Sequence, residues 1–190
     1  MITSLDARPE LVVVGVFDGH GGSRCSEFCH KRIVEILNDG VTAKQSVANI
    51  RLDTFLRTAM TVLCSEWDQQ VLGHDFKSVY ESQAKRDKFY QALDYGKHVE
   101  TEGDSGTTLC VVLIDLRRGV LTMANCGDSR AAVMVNGKPA VIATQDHIVP
   151  LRLDINNFKV SIEDGRVEAD LAMSRSFGDH SKRLSGVISR

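Results

Sequence analysis

The hydrophobic and polar positions of the first forty residues predict a strand followed by a helix. An apolar run over residues 12–17 stops at Asp18, Gly19, His20 and two further glycines, which is typical of a buried strand that carries polar groups at its end. Apolar positions then recur at helical spacing, and Asn38-Asp39-Gly40 indicates the stop of an amphipathic helix of about 15 residues. Because free N–H groups and a positive dipole end mark a helix start, this end is expected to face whatever Asp18 and His20 hold.

A second helix is predicted over residues 45–71 because one of its faces is apolar. That apolar stripe comprises Leu52, Phe55, Leu56, Ala59, Met60, Leu63 and Trp67. We interpret the stripe as core rather than as a cofactor site. Residues 73–104 are dominated by charged side chains with scattered aromatics, which indicates a solvated helix or a polar insertion.

Strand patterns dominate the chain after residue 104. The predicted strands cover residues 107–116, 120–126, 130–135 and 139–144. The dipeptide Asn136-Gly137 is a strong signal for a two-residue type I′ hairpin turn. Short connections require consecutive strands to run antiparallel, and one face of such a sheet needs cover. Two long helices followed by an antiparallel meander predict an α+β layered sandwich.

Composition and charge refine this picture only slightly. The 190 residues are 43% hydrophobic and 25% charged with a formal net charge of −2, which is typical of one globular domain and does not favour a nucleic-acid or membrane partner. No segment approaches the roughly 20 apolar residues of a membrane span, and the start resembles no secretory signal. The five cysteines form no C-x-x-C pair and are interpreted as core residues. A cytoplasmic or nuclear location is therefore expected.

Candidate chemistry is concentrated at residues 18–20. The carboxylate of Asp18 suits Mg²⁺ or Mn²⁺, the carbonyl of Gly19 can approach the same ion, and His20 is placed to protonate a leaving oxygen. A turn in which Asp18 only caps the helix explains the spacing equally well. A dinucleotide-binding loop is disfavoured because the glycine spacing does not match its fingerprint. An aspartyl-phosphate hydrolase is disfavoured because His20 stands where a second aspartate is needed.

Five motifs occur in one order along residues 12 to about 183. They are Val16-Phe17-Asp18-Gly19-His20-Gly21-Gly22, Ser105-Gly106-Thr107-Thr108, Ala124-Asn125-Cys126-Gly127-Asp128-Ser129-Arg130, Thr144-Gln145-Asp146-His147 and Leu171-Ala172-Met173-Ser174-Arg175-Ser176-Phe177-Gly178-Asp179. Each resembles a motif of the type 2C, metal-dependent protein serine/threonine phosphatases (the PPM family). Five matches in the same order make this resemblance specific.

The resemblance implies an α/β/β/α sandwich of antiparallel sheets and the hydrolysis of phosphoserine and phosphothreonine in a phosphoprotein substrate. Asp18 would bridge two Mg²⁺ or Mn²⁺ ions, Gly19 would contribute its backbone carbonyl, and the ions would activate a water in line with the phosphorus. His20 would protonate the departing oxygen. Asp146 matches a carboxylate that helps to hold a third, weaker ion, and a turn residue after a strand is the alternative interpretation.

Three further motif residues, Asp128, Arg175 and Asp179, are interpreted as structural residues near the site. Asp128 is expected to hold a tight turn through backbone hydrogen bonds. Arg175 and Asp179 are considered as an ion pair that braces a loop. His180 matches no ligand pattern and is given no role.

The chain departs from the family pattern at both ends. Before the first strand, Asp6, Arg8 and Glu10 do not form the motif that supplies a phosphate-binding arginine and a metal-binding glutamate. No acidic residue follows Asp179, and Asp164-Gly165 is not accepted as the missing D-G ligand. One carboxylate and one carbonyl should bind a divalent pair weakly.

Residues 1–190 are therefore interpreted as a partial catalytic domain that lacks N- and C-terminal strands. The alternative is a truncated chain or pseudophosphatase that acts as a non-catalytic, phosphoprotein- or partner-binding module.

Overall fold

The computed structural model describes part of the chain. The described residues are 1–43, 51–72, 105–149, 162–163, 165–167, 171–180 and 182. They form two α-helices and eleven β-strands in four antiparallel sheets, which confirms the predicted α+β class. The predicted insertion at residues 73–104 lies outside the described residues and stays a prediction.

The elements follow one another in this chain order: β1 (Ile2–Leu5), β2 (Arg8–Val16), β3 (Gly19–His20), α1 (Arg24–Ala43), α2 (Leu52–Leu72), β4 (Gly106–Thr107), β5 (Leu109–Asp115), β6 (Val120–Cys126), β7 (Ala132–Val135), β8 (Lys138–Ala143), β9 (Ile162–Glu163), β10 (Arg166–Val167) and β11 (Phe177–Gly178). The largest sheet has the order β1-β2-β5-β6. Its inner strands β2 and β5 pair from Leu11 opposite Asp115 to Val16 opposite Cys110.

The apolar run of β2 is buried on one face of the sheet. Leu11 and Val13 belong to the core formed with the two helices, whereas Val12 and Val14 are half-buried and Val16 is 54% exposed. The prediction of a buried strand is therefore wrong for the sheet face that carries Val12, Val14 and Val16. The reason is that α1 and α2 pack on the face of Leu11 and Val13, and side chains alternate between faces along a strand.

Helix α1 continues beyond the predicted stop at Asn38-Asp39-Gly40 and ends at Ala43. A Cβ on Gly40 would lie 2.7 Å from Cε2 of Phe55, so the absence of a side chain lets α2 approach closely. Val41, one residue further on, is buried. Burial of Val41 and this close helix contact outweigh the cost of about 1 kcal/mol that glycine imposes inside a helix.

Helix α2 places the predicted apolar stripe in the core. Its described part begins at Leu52, and residues 45–50 of the predicted helix lie outside the description. Trp67 is 1% exposed, and its ring lies 5.2 Å from that of Phe28 on α1. In the described residues, neither helix is both long and apolar enough to cross a bilayer.

The predicted strands of the second half are largely confirmed. Strand β6 has the predicted bounds, and β7 and β8 are joined by a turn in which Asn136 (φ 52°) and Gly137 (φ 70°) both have positive φ, as a type I′ turn requires. The single meander is wrong in two places. The strand predicted over residues 107–116 is divided at Thr108, and β7 and β8 form a separate two-stranded sheet. Gly127 (φ 110°) turns the chain after β6, which separates β7 from it.

The cysteines are core residues, as predicted. Cys25, Cys29, Cys110 and Cys126 are buried, Cys64 is half-buried, and none of the five forms a disulfide. A hydrogen bond with Cys29 and burial raise the pKa of the Cys25 thiol well above its usual range. A thiol in this environment is inert.

The turn between β5 and β6 makes folding stability depend on pH. Asp115 accepts hydrogen bonds from the backbone N–H (2.9 Å) and Nε (2.6 Å) of Arg118. Burial raises the pKa of the Asp115 carboxyl, but these hydrogen bonds lower it more, so the net pKa is below its usual value. The stabilisation is therefore present above about pH 4 and is lost as the pH falls through the folded-state pKa.

We expect Asp115→Asn to lower the free energy of unfolding at neutral pH and to have a much smaller effect in acid. Urea unfolding of both proteins at about pH 7 and about pH 3 measures this difference. An equal difference at the two pH values would contradict the proposed role of the ionised carboxylate.

Candidate active site

Asp18 lies between β2 and β3 with its side chain exposed, and Thr108 makes two hydrogen bonds to its backbone. The Thr108 N–H donates to the Asp18 carbonyl (2.9 Å), and the Asp18 N–H donates to Thr108 Oγ1 (3.1 Å). Thr108 Oγ1 also lies 2.6 Å from the hydroxyl of Ser129. The Asp18 carboxylate is thus exposed on a backbone that is fixed.

The next residue, Gly19, has a carbonyl that lies outside the strand ladder. Gly19 is opposite Thr107 in the β3–β4 pair, and Thr108 already donates to Asp18. Hydrogen-bonded and non-hydrogen-bonded pairs alternate in antiparallel strands, so the Gly19–Thr107 pair is a non-hydrogen-bonded one. A Cβ on Gly19 would lie 2.6 Å from Ser26 Oγ, which explains glycine here. Asp18 and Gly19 therefore offer a carboxylate and a backbone carbonyl next to each other in the chain, and their role as metal ligands stays a prediction.

His20 is brought to Asp179 by a three-stranded sheet with the order β11-β4-β3. Its register places His20, Gly106 and Gly178 in one row. His20 Nε2 lies 2.8 Å from Oδ1 and 2.7 Å from Oδ2 of Asp179, the residue that follows β11. The Asp179 side chain is only 5% exposed, and that of His20 is 30% exposed. Asp179 is therefore in contact with His20, and the sequence analysis did not predict this contact.

A second short contact between a histidine and an aspartate lies next to the first. His180 Nε2 lies 2.7 Å from Oδ1 of Asp68 on α2, and both side chains are buried. Cys64, one turn earlier on α2, directs its thiol to the other carboxylate oxygen of Asp68 at 3.8 Å. Asp179 and His180 thus link the candidate site to the helical layer.

Ser105 fixes the start of α1 to the small sheet. Its hydroxyl accepts a hydrogen bond from the Cys25 N–H (3.2 Å), and its carbonyl accepts one from the Asp179 N–H (3.4 Å). The expectation that the first N–H groups of α1 all face a ligand is therefore wrong for Cys25. The Cys25 N–H group instead joins the start of α1 to Ser105 by a hydrogen bond within the protein.

Asp146 forms a forked ion pair with Arg130. The Arg130 Nε and Nη2 atoms lie 2.9 Å and 2.6 Å from the two carboxylate oxygens of Asp146. These hydrogen bonds lower the pKa of the Asp146 carboxyl. A cation would have to compete with Arg130 for both oxygens, and the third-metal role of Asp146 stays a prediction.

The loop of Asp146 is tied to the turn after β6. The His147 N–H donates to the Gly127 carbonyl (2.9 Å), and His147 Nδ1 accepts from the Gly127 N–H (3.1 Å). Burial, followed by the nearby charge of Arg175, lowers the pKa of His147. Asp128 is half-buried in this turn and Arg175 is half-buried near His147, so their structural roles stay predictions.

Sequence reasoning missed Asp68, Gly106 and His180 as parts of this arrangement. Asp68 is a charged residue that follows Trp67 on the apolar side of α2, and this position was a usable signal for a buried partner. His180 was dismissed because it matches no ligand pattern. Its adjacency to a motif aspartate was the available clue.

The described residues contain no group of three or more His, Cys, Asp or Glu side chains that could hold a metal ion. What they bring together is one exposed carboxylate, one backbone carbonyl and an imidazole held by a buried carboxylate. Such a set can contribute two oxygen ligands to a hard cation and a proton donor beside it.

Comparison with known proteins agrees with the sequence motifs. Residues 2–188 match the family described as protein phosphatase 2C. A Saccharomyces cerevisiae protein named protein phosphatase 2C homolog 2 is 26% identical over 176 residues, which cover 90% of this chain and 31% of that protein. A Bos taurus protein named integrin-linked kinase-associated serine/threonine phosphatase 2C is 29% identical over 188 residues, which cover 92% of this chain and 42% of that protein. The chain thus spans less than half the length of these two relatives.

A solved structure described as that of a C. elegans sex determining protein has a similar fold. The TM-score is 0.66 at 20% sequence identity, and the match covers 93% of this chain and 38% of that one. At this level of identity the similarity supports the fold alone.

Proposed function

Because the chain belongs to the protein phosphatase 2C family, we propose that it hydrolyses phosphoserine and phosphothreonine in proteins. The observation that supports this proposal most directly is the placement of Asp18, Gly19 and His20 at one strand end. There the carboxylate is exposed, the Gly19 carbonyl lies outside the ladder, and the imidazole is held by Asp179. The serine/threonine specificity in the name of the bovine relative supports this class of substrate.

The donor atoms of Asp18 and Gly19 fit Mg²⁺ or Mn²⁺ as part of a ligand set. Both are oxygens, which these hard cations prefer, and Mg²⁺ usually keeps several waters beside one or two carboxylates. A bound divalent ion supplies charge stabilisation at the phosphate and lowers the pKa of a water. Affinity is expected to be low because the Asp179 carboxylate is bound to His20, which leaves Asp18 as the one exposed carboxylate among the described residues of this site.

The protein's own groups have distinct tasks in this proposal. Thr108 fixes the backbone of Asp18, so that the carboxylate needs little reorganisation when it binds a cation. His20 donates a proton to the departing serine or threonine oxygen, which is a poor leaving group without one. The His20 imidazole is restrained by a buried carboxylate, as such a role requires.

We expect the 190-residue chain to release phosphate from a phosphothreonine peptide with Mn²⁺. Asp18→Asn should reduce the rate by about 100-fold or more, because a neutral amide is a much weaker ligand for a divalent ion. Phosphate release measured over a range of Mn²⁺ concentrations tests both statements. Asp39→Asn is the matched control, since Asp39 is exposed on α1 away from this strand end and its loss should leave the rate unchanged.

Two outcomes would count against the proposal. Background rates for both the unmodified chain and Asp18→Asn would show that this chain is not catalytic. Tight binding of the phosphopeptide without hydrolysis would instead favour a non-catalytic binding module.

A further inference from the structure

We infer that Asp179 is a positioning residue, which holds the His20 imidazole by its Nε2 atom in the orientation that protonates the leaving oxygen. The inference rests on the proposed phosphatase function. The inferred role of Asp179 differs from the loop-bracing ion pair with Arg175 that the sequence analysis considered. It also identifies the nitrogen of His20 that serves the substrate.

We assign the hydrogen of this contact to His20 Nε2. An ionised carboxylate only accepts hydrogen bonds, so His20 Nε2 must carry the proton that points at Asp179. Both carboxylate oxygens lie within 2.8 Å of this nitrogen, so rotation of the ring away from the pair would break a short, charge-assisted contact. The ring is thereby held in one orientation.

Asp179 is itself rigidly placed, which a positioning residue must be. Its backbone has a positive φ of 47°, directly after Gly178 with φ 77°, and its N–H donates to Ser105. The following residue, His180, is anchored to Asp68 of α2 by a buried hydrogen bond of 2.7 Å. A conformation that is unusual for a non-glycine residue persists only where its surroundings fix it.

The assignment determines where the transferred proton comes from. With Nε2–H held by Asp179, it is the doubly protonated form of His20 that acts, and the proton given to the leaving oxygen comes from Nδ1. The attacking water forms the new P–O bond as the bond to the serine or threonine oxygen breaks, and the Nδ1 proton passes to that oxygen. The phosphate keeps both hydrogens of the water until one returns to solvent, from which neutral His20 is reprotonated.

Asp179→Asn is a suitable test because asparagine keeps the size of the side chain and tolerates positive φ. The first readout is long-range ¹H–¹⁵N NMR of the His20 ring in the full 190-residue chain without a cation. At a pH at which the imidazole is neutral, the unmodified chain is expected to carry its single ring proton on Nε2, and Asp179→Asn to show a mixture of the two neutral forms. Asp39→Asn should leave the spectrum of His20 unchanged.

The second readout is the rate with two substrates that differ in the quality of the leaving group. Asp179→Asn should lower kcat for a phosphothreonine peptide by about 10- to 100-fold. It should affect p-nitrophenyl phosphate much less, because a nitrophenolate leaves without a proton, and KM should change little for either substrate. A purely structural defect would reduce both rates together.

Failure of this inference is distinguishable from failure of the proposed function. An unchanged His20 spectrum in Asp179→Asn overturns the inference even if the chain is an active phosphatase, as do equal losses of kcat for both substrates. Absence of phosphate release from the unmodified chain overturns the function, while the NMR result still decides whether Asp179 orients His20.

Discussion

Alanine in place of Gly106 is expected to separate His20 from Asp179 and to remove most of the phosphatase activity. A Cβ at this position would overlap with both carboxylate oxygens of Asp179 and with Nε2 of His20. Gly106 pairs with both His20 and Gly178, so it lies beneath the contact between His20 and Asp179. A methyl group at residue 106 can therefore be accommodated only if one of these two side chains moves. Loss of a positioned proton donor costs about 100-fold or more in rate.

The same substitution should destabilise the fold by about 1–3 kcal/mol, the usual cost of adding a methyl group to a well-packed region. Phosphate release and urea unfolding measure the two effects. The double variant Gly106→Ala/Asp179→Gly is the control, because it removes both overlapping carboxylate oxygens, leaves no buried carboxylate without a partner and suits the positive φ of residue 179, so it should recover part of the stability. Full activity in Gly106→Ala would contradict the expected separation of His20 and Asp179. A double variant no more stable than Gly106→Ala would contradict the expected steric overlap.

Local pattern was sufficient to predict the elements whose residues interact mainly with their own neighbours in sequence. The stripe on α2, the bounds of β6 and the Asn136-Gly137 turn depend on helical period, strand propensity and positive φ, and all three are confirmed. The extension of α1 past Gly40 was not predictable in this way. It depends on the ring of Phe55, which reaches Gly40 from another helix.

In the candidate site, too, the residues close in sequence were predictable and the distant contacts were not. Asp18, Gly19 and His20 are consecutive, so one motif was enough to place them together. Asp179 lies 159 residues from His20, and only the pairing of β4 with both β3 and β11 brings them into contact. Motif spacing carries no information about that pairing, which explains why the partner of Asp179 was not found.

Buried polar residues were the least predictable feature, although their energetic effect is large. Asp68 and His180 were not paired from the sequence, because a buried charged group needs a partner and these two lie 112 residues apart. In the fold, each is the other's partner. This pair joins α2 to the segment that carries Asp179.

Replacement of His180 by leucine is therefore expected to lower the free energy of unfolding by about 3–5 kcal/mol, because it removes the ion-pair partner of a buried carboxylate. The substitution removes the 2.7 Å contact between His180 Nε2 and Oδ1 of Asp68, whose side chain is only 5% exposed. The double variant Asp68→Leu/His180→Leu should be more stable than His180→Leu alone, since it leaves no buried charge at this position.

Urea unfolding of the two single variants and the double variant forms a double-mutant cycle that isolates the interaction. Arg51→Leu is the control, because the Arg51–Asp53 pair is exposed and its loss should leave the unfolding midpoint nearly unchanged. Additive effects of the two leucine substitutions would contradict the expected coupling. A coupled result would establish that α2 stabilises the segment of Asp179 through this pair.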